Sequence, residues 1–279
     1  MSAAATTAPA RPRARSERAY VVSDALAMTW RNLLKYQRVP TLLMFSTIQP
    51  VMFVLLFAYV FGGAIPIPGI EYKDYLMPGI FVQTVIFGST QTGVGLAEDL
   101  SRGMIDRFRS LPMARSAVLA GRTTGDTVRN LFVVLLMTGV GYLIGFRFHN
   151  GLLSALGAIL LAVVFGSAFS WISANTGLAV RDVESAQAAS FVWIFPLVFA
   201  SSAFVPVQSM PGWLQAWAKV NPVSITVDAV RFLTLGPDLA KVANLPGTMG
   251  THVWQSLAWI AGILLVFAPL AVRRYRKIT

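Results

Sequence analysis

The stretch 148–180, FHNGLLSALGAILLAVVFGSAFSWISANTGLAV, contains no Asp, Glu, Lys or Arg in 33 residues. A bilayer core is crossed by roughly 20 apolar residues in a helix, so this run alone predicts a membrane-spanning helix. Five more uncharged runs surround it: 39–70, 75–97, 130–146, 185–218 and 242–272. The shortest, 130–146, is 17 residues and borrows a turn from Thr127 and Val128. Together they predict an all-α integral membrane protein with six transmembrane helices, at about 41–61, 75–97, 127–146, 152–176, 187–205 and 254–272.

The composition points the same way. Of 279 residues, 55% are hydrophobic and 13% charged, with a mean hydropathy of +0.62. A soluble domain carries about a quarter charged residues. Six spans leave only short loops, with no room for a separate soluble catalytic domain. There is no cysteine, which excludes disulfides and thiolate metal sites. The two histidines, His149 and His252, are isolated and read as interfacial polar side chains.

The net charge of +11 is placed beside apolar spans rather than along one face. With six spans, the N-terminus, the loop 98–125, the short loop 181–186 and the C-terminus share one side. That side holds eighteen of the twenty-three basic residues, counting Arg129. Positive-inside topology then predicts a multi-pass cell-membrane protein with both termini cytoplasmic, and no nucleic-acid partner.

Along the chain, 1–16 reads as a disordered basic tail with no apolar stretch. Residues 17–39 read as an amphipathic interface helix. Val22, Leu26, Trp30, Leu33 and Leu34 recur at helical spacing, and Arg31, Lys35 and Arg38 reach toward lipid phosphates. Pro40 separates this helix from the six-span domain, 40–279. In the first span Pro50 removes a backbone donor and predicts a kink. The second span is unusually polar, with Gln83, Thr84, Ser89, Thr90, Gln91 and Thr92. Polar side chains at this depth serve helix packing or line a water-filled path; Gln83, Thr84, Thr90 and Gln91 are the candidates for a translocation path. Gly141 and Gly145 in the third span have small-xxx-small spacing.

Between the fifth and sixth spans lie 47 residues, 207–253, too broken to cross the membrane again. MPGWLQAWAKV (210–220) puts Trp213, Leu214 and Trp217 on one helical face. NPVSITVDAVRFLTLG (221–236) offers Asn221 as an N-cap, Pro222 in the first turn and Gly236 as the stop. The result is an outer helical hairpin over 207–236 that either dips into the outer leaflet or lies flat on it. Asp228 and Arg231, three apart, are expected to pair, and exchanging them to restore partial function.

Absent motifs narrow the function. The five lysines are followed by Tyr, Asp, Val, Val and Ile, so no phosphate-binding loop of the G-x-x-x-x-G-K-[ST] type is present. There is no G-x-S-x-G, no H-E-x-x-H, and no carboxylate pair in mid-span. The chain is therefore not read as an enzyme. In the cytosolic segment 98–122, EDLSRGMIDRFRSLPMARSAVLAGR, Met104, Phe108 and Leu111 form a helical stripe ended by Pro112 and surrounded by Arg102, Asp106, Arg107 and Arg109. The stripe either rests on headgroups or docks into a groove on a cytosolic partner.

Glu98-Asp99, Gly103, Arg107, Leu111-Pro112 and Arg115 occur in the order, and Pro206, MPGWLQ (210–215), Asn221-Pro222 and DAVR (228–231) in the context, of a known family. The chain resembles the type-2 ABC exporter permeases, particularly the daunorubicin-resistance-type branch, over nearly its whole length after residue 20. The resemblance implies six helices per subunit, an amphipathic N-terminal helix, a cytosolic coupling helix and outer re-entrant helices. It implies ATPase-coupling roles for Glu98, Asp99, Arg102, Gly103, Met104, Arg107, Phe108, Leu111 and Pro112. Pro211, Trp213, Asn221, Pro222, Asp228 and Arg231 would build the re-entrant hairpin. It further implies a second permease subunit, identical or related, and separate nucleotide-binding ATPase subunits that hold ATP and magnesium, leaving no cofactor in this chain. The implied cargo is amphipathic drugs or lipids; sister branches move polysaccharides or lipid-linked glycans. A membrane enzyme or an assembly scaffold has no residue cluster in its favour.

Overall fold

A computed structural model describes residues 17–38, 40–104, 115–180 and 182–277, and among these every regular element is helical. The elements are α1 (Glu17–Arg38), α2 (Pro40–Leu55, continued by a π-helix over Leu56–Phe61), α3 (Tyr72–Ser101), α4 (Arg115–Leu143), α5 (Gly151–Val180), α6 (Val183–Phe199), α7 (Gly212–Val220), α8 (Pro222–Val242) and α9 (Met249–Lys277). The tail 1–16 lies outside the described residues, as do Val39, residues 105–114, Arg181 and 278–279. By length and composition, α3, α5, α9 and the part of α4 over Val118–Leu143 are sufficient to cross a membrane. Thr47–Phe61 and Val183–Phe199 are apolar but shorter.

The bundle is organised around α3, which is buried along nearly its whole length from Tyr72 to Ala97. Its most extensive partner is α5. The two helices cross with backbone against backbone. A Cβ added at Gly93 would strike the Ser173 carbonyl, and one at Gly177 would strike the Gly93 carbonyl. Ser89 and Ser173 meet beside this crossing, Oγ to Oγ, at 3.3 Å. The small residues that bring helices together are thus Gly93 and Gly177. The expected pair does something else: Gly141 faces Met77 and Phe146, while Gly145 (φ 97°) carries the chain out of α4.

Three helices end at other residues than the sequence suggests. The helix that holds the expected third span begins at Arg115, ahead of 127, because its charges are absorbed by neighbouring helices. The helix of the expected fifth span ends at Phe199 instead of 205: the Ala200 N–H closes on the Pro196 carbonyl, and the chain then turns through Ser201–Val205. Gly236 was expected to stop the second outer helix, yet helix resumes beyond its non-helical φ of 82° and runs to Val242. Asp182 starts α6 by accepting the Ser185 N–H at 2.8 Å, a bond that holds its exposed carboxyl below the ordinary carboxylate range.

In α1, Leu26 and Trp30 from the expected apolar stripe are exposed, whereas Met28 and Thr29 on another face are buried. Thr29 and Asn32 both donate to the Gly121 carbonyl of α4, at 3.2 and 3.3 Å. Hydrogen bonds and packing therefore attach α1 to α4, with two of its large apolar side chains left uncovered.

Candidate functional site

The polar residues of α3 divide between two tasks. Ser89 and Thr92 serve packing: Ser89 meets Ser173, and the Thr92 hydroxyl donates to Asp126 Oδ2 at 2.5 Å. Gln83, Thr84, Thr90 and Gln91 line a cleft enclosing about 680 Å³ of free space, part of it open to the outside. Its other walls come from Gln49 and Pro50 of α2, Arg129 and Asn130 of α4, and Gln187 and Phe191 of α6. Gln49, Gln91 and Gln187 are exposed at the mouth, while Gln83 and Thr84 are buried at its wall.

Two atoms of this wall stand out. Gln83 Oε1 and Thr84 Oγ1 are buried and have no hydrogen-bond partner among the described residues. Leaving a buried polar atom unsatisfied costs about 1–3 kcal/mol, so native proteins rarely keep one without a use. Arg129 reaches the same wall, and its Nη2 donates to the Gly88 carbonyl and to Asn130 Oδ1. The cleft thus presents amide and hydroxyl groups, a guanidinium, and the rings of Phe87 and Phe191. No carboxylate is among its lining residues.

At the end of α3 lies the first part of the expected coupling segment. Asp99 is the centre of a charge cluster, 3.6 Å from Arg31 of α1 and 3.5 Å from Arg122 of α4. Arg122 also approaches Asp126 at 4.0 Å and donates to the Gln91 carbonyl at 3.3 Å. Glu98 pairs with Arg102 at 2.9 Å, and Gly103, in the left-handed region at φ 64°, ends the helix. Met104 is half-buried and lines a groove together with Arg31, Asn32, Glu98, Asp99, Arg102 and Arg122. Arg107, Phe108, Leu111 and Pro112 lie outside the described residues. Reading by sequence missed Arg31 and Arg122 as members of this cluster; the i, i+4 spacing of Arg122 and Asp126 was the available signal.

The opposite end of α3 holds the hairpin of α7 and α8. Pro211 precedes α7, whose Trp213 is 75% exposed and whose only buried residue is Ala218. Asn221 joins α7 to α8. It caps α8 by accepting the Val223 N–H at 2.9 Å, and its amide donates to the Leu197 and Ala200 carbonyls of the α6 terminus. Pro222 occupies the first turn of α8. Beyond it α8 is buried against α3, α5 and α9.

Within that contact Arg231 has no exposed surface, and it pairs with Asp228 at 2.8 Å. The same guanidinium donates to the carbonyls of Tyr75, Ser202 and Ala203 and lies over the Tyr75 ring. The Tyr72 hydroxyl donates to the Phe204 carbonyl at 2.8 Å, adding a further bond to the turn after α6. One side chain thereby ties three elements together: α8, the start of α3 and the turn at 201–205.

Comparison with known proteins agrees with this architecture. Residues 24–235 match the ABC-2 type transporter family. The chain is 38% identical to a daunorubicin resistance ABC transporter permease protein of Streptomyces coeruleorubidus, over 94% of this chain and 89% of that protein. It is 30% identical to a probable doxorubicin resistance ABC transporter permease protein of Mycobacterium tuberculosis, over 92% and 89% of the two chains. A putative transport permease of Cyanophora paradoxa is 26% identical over 77% and 75%. With its apolar helices, its lack of a phosphate-binding loop and these matches over most of its length, the chain belongs to the ABC-2 type transporter family, among that family's membrane permeases.

Proposed function

We propose that this chain is the permease subunit of an ATP-driven exporter that moves amphipathic drugs or lipids out across the cell membrane. The two most similar relatives cited carry drug-resistance names. The observation that carries the reading to a place in this chain is the cleft between α2, α3, α4 and α6, with Gln83 Oε1 and Thr84 Oγ1 buried and unpartnered in its wall. A cleft that takes an amphipathic ligand is mostly apolar, with a few placed polar groups that fix the ligand's orientation.

The remaining parts follow from that role. Six segments span the membrane, α2 with its π-helical extension and α6 being the two short ones, and both termini are cytoplasmic. The exposed Leu26 and Trp30 face of α1 lies in the inner headgroup region. A nucleotide-binding subunit, holding ATP and magnesium, docks on the 98–112 segment beside α1. Its movement passes through Asp99, Arg31 and Arg122 to Gln91 at the mouth of the cleft, since Arg122 touches both Asp99 and the Gln91 carbonyl. A second permease subunit completes the path, and the hairpin of α7 and α8 forms its re-entrant outer end.

The test is reconstitution of the permease with its ATPase in inverted vesicles, with fluorescent doxorubicin supplied outside. ATP should drive accumulation, and a non-hydrolysable nucleotide should not. Equal uptake with either nucleotide would sink the proposal.

A further inference from the structure

Among the described residues that line the cleft, Arg129 alone carries a formal charge. Its place in the wall is built from several parts. The guanidinium Nη2 donates to the Gly88 carbonyl, and the neighbouring Asn130 donates through Nδ2 to the Val85 carbonyl at 3.4 Å. Both side chains of α4 are thereby anchored on the backbone of α3. Gly88 leaves the room they need, since a Cβ there would strike Asn130 Oδ1 and Arg129 Nη2. Arg129 is 4% exposed, so its charge sits in the wall and not in bulk water. The carboxylate one turn earlier on α4 is engaged elsewhere: Asp126 accepts from the Thr92 hydroxyl and approaches Arg122, and it does not line the cleft.

An ionisable side chain at membrane depth is costly to keep, and where one occurs it faces a cavity or the bundle interior. Low-dielectric walls also focus its field into the space they enclose. A group inside a cleft of about 680 Å³ stays within roughly 10 Å of the wall, and at that distance and an effective dielectric of about 20 a like charge loses about tenfold in occupancy. The unpartnered Gln83 Oε1 strengthens the hold on an ammonium through a charge-assisted bond. A hydroxyl or amide N–H satisfies the same acceptor without meeting the repulsion. The amides of Gln49, Gln91 and Gln187 add donors that suit a neutral or anionic group, and no lining residue offers a negative charge to a cation.

We propose that Arg129 sets a charge preference in the cleft, which takes amphiphiles whose polar end is uncharged or anionic and discriminates against those whose polar end is cationic. Hydrogen bonding by Gln83 and Thr84 then holds the hydroxyl or amide groups of the accepted amphiphile. This role rests on the export reading above and adds to it the residue that selects among amphiphiles by charge.

The test uses three fluorescent probes that differ only at one nitrogen: doxorubicin, whose amine is protonated at neutral pH, and its N-acetyl and N-succinyl derivatives, which are neutral and anionic there. Affinity is read by fluorescence anisotropy with the permease and its ATPase in nanodiscs of zwitterionic lipid, and ATP-driven accumulation in inverted vesicles. The wild type should bind the neutral probe about tenfold more tightly than doxorubicin, and the anionic probe at least as tightly as the neutral one. Arg129→Gln should bring all three within about twofold, whereas Arg129→Lys keeps the order. Gln187→Glu, at the exposed mouth of the cleft, should also erase the preference with Arg129 and its packing left in place. Lys241→Gln, an exposed charge on α8 outside the cleft, should keep it. Equal affinities in the wild type, a preference that survives Arg129→Gln or Gln187→Glu, or its loss in Arg129→Lys overturns the charge role; the export reading stands as long as the wild type accumulates doxorubicin. Absence of ATP-driven accumulation of all three probes overturns the export reading and this role of Arg129 with it.

Discussion

The guanidinium of Arg231 lies 3.5 Å from the ring centroid of Tyr75 and donates to the carbonyl of that same residue at 3.0 Å, although the two are 156 positions apart. This double contact changes the consequence of exchanging Arg231 with Asp228. A simple ion pair would survive the exchange. Here the carbonyls of Tyr75, Ser202 and Ala203 all need a donor at position 231, and an aspartate there offers none. The exchange is therefore expected to fail, contrary to the expectation from sequence. Arg231→Ala should destabilise the protein by about 3–5 kcal/mol, because it strands a buried carboxylate, and Arg231→Lys should recover only part of that loss. Thermal unfolding in detergent, followed by α-helical circular dichroism, ranks the variants. A swapped protein as stable as wild type would contradict this account.

Gln83→Leu removes a buried acceptor that has no hydrogen-bond partner among the described residues. Stability should stay level or rise by about 1 kcal/mol, while the preference among exported drugs shifts. Improved stability with altered selectivity is the mark of a residue kept for binding. If the variant disappears from the membrane, the side chain serves packing instead.

Asp99→Asn loses charge attraction to Arg31 and Arg122 together. The pairs are only partly buried, so the expected loss in stability is modest, about 1 kcal/mol. The effect on coupling should be larger: ATP turnover continues while drug accumulation per ATP falls. Asp99→Glu, which keeps the charge, should retain most of the accumulation. Unchanged stoichiometry in the asparagine variant would remove Asp99 from the coupling route.

Phe108→Ala is expected to release the ATPase on detergent extraction while the permease stays inserted. An aromatic at the centre of a helical stripe is the usual interface anchor, and truncation of one costs about 2 kcal/mol or more, roughly thirtyfold in affinity. Arg109→Ala, on the rim, should do much less. Co-purification with each variant is the measurement. Retention of both partner and efflux by Phe108→Ala would move the docking site to α1 or to the 181–186 loop.

Orientation is checked with single cysteines, since the chain has none of its own. In intact cells an impermeant thiol reagent should label Gln208→Cys and spare Ser110→Cys. The opposite pattern would invert the proposed topology.

Much of this fold is legible because charge is excluded from the membrane core: helices lie under all six uncharged runs. The start of α4 was not legible, and its residues explain why. Arg122 and Asp126 look like loop charges in sequence, and Arg129 like a charge at the span's end, yet they meet Asp99, Thr92 and the Gly88 carbonyl across helix contacts. Such distant partners leave no local periodicity. The polar stripe Gln83, Thr84, Thr90 and Gln91 was readable from composition alone. Ser89 and Thr92 stood outside that choice, but the partners that occupy them, Ser173 of α5 and Asp126 of α4, were not readable, because they depend on where those helices cross. Similarly, the i, i+3 spacing of Asp228 and Arg231 predicts a pair, while nothing near Arg231 in sequence points to the turn after α6.

The crossing at Gly93 and Gly177 constrains how such a transporter can move. Helices separated by side chains can slide, because rotamers readjust as the surfaces shift. Where one backbone rests directly on the other, no side chain is available to yield, and a displacement along the axis drives the carbonyl of Gly93 or Ser173 into a neighbouring Cβ. Helices α3 and α5 therefore behave as a fixed mast. Opening and closing of the cleft fall to its other walls, α2, α4 and α6, so a spin label on α6 should report the transport cycle while a label pair across the Gly93–Gly177 crossing keeps a constant distance.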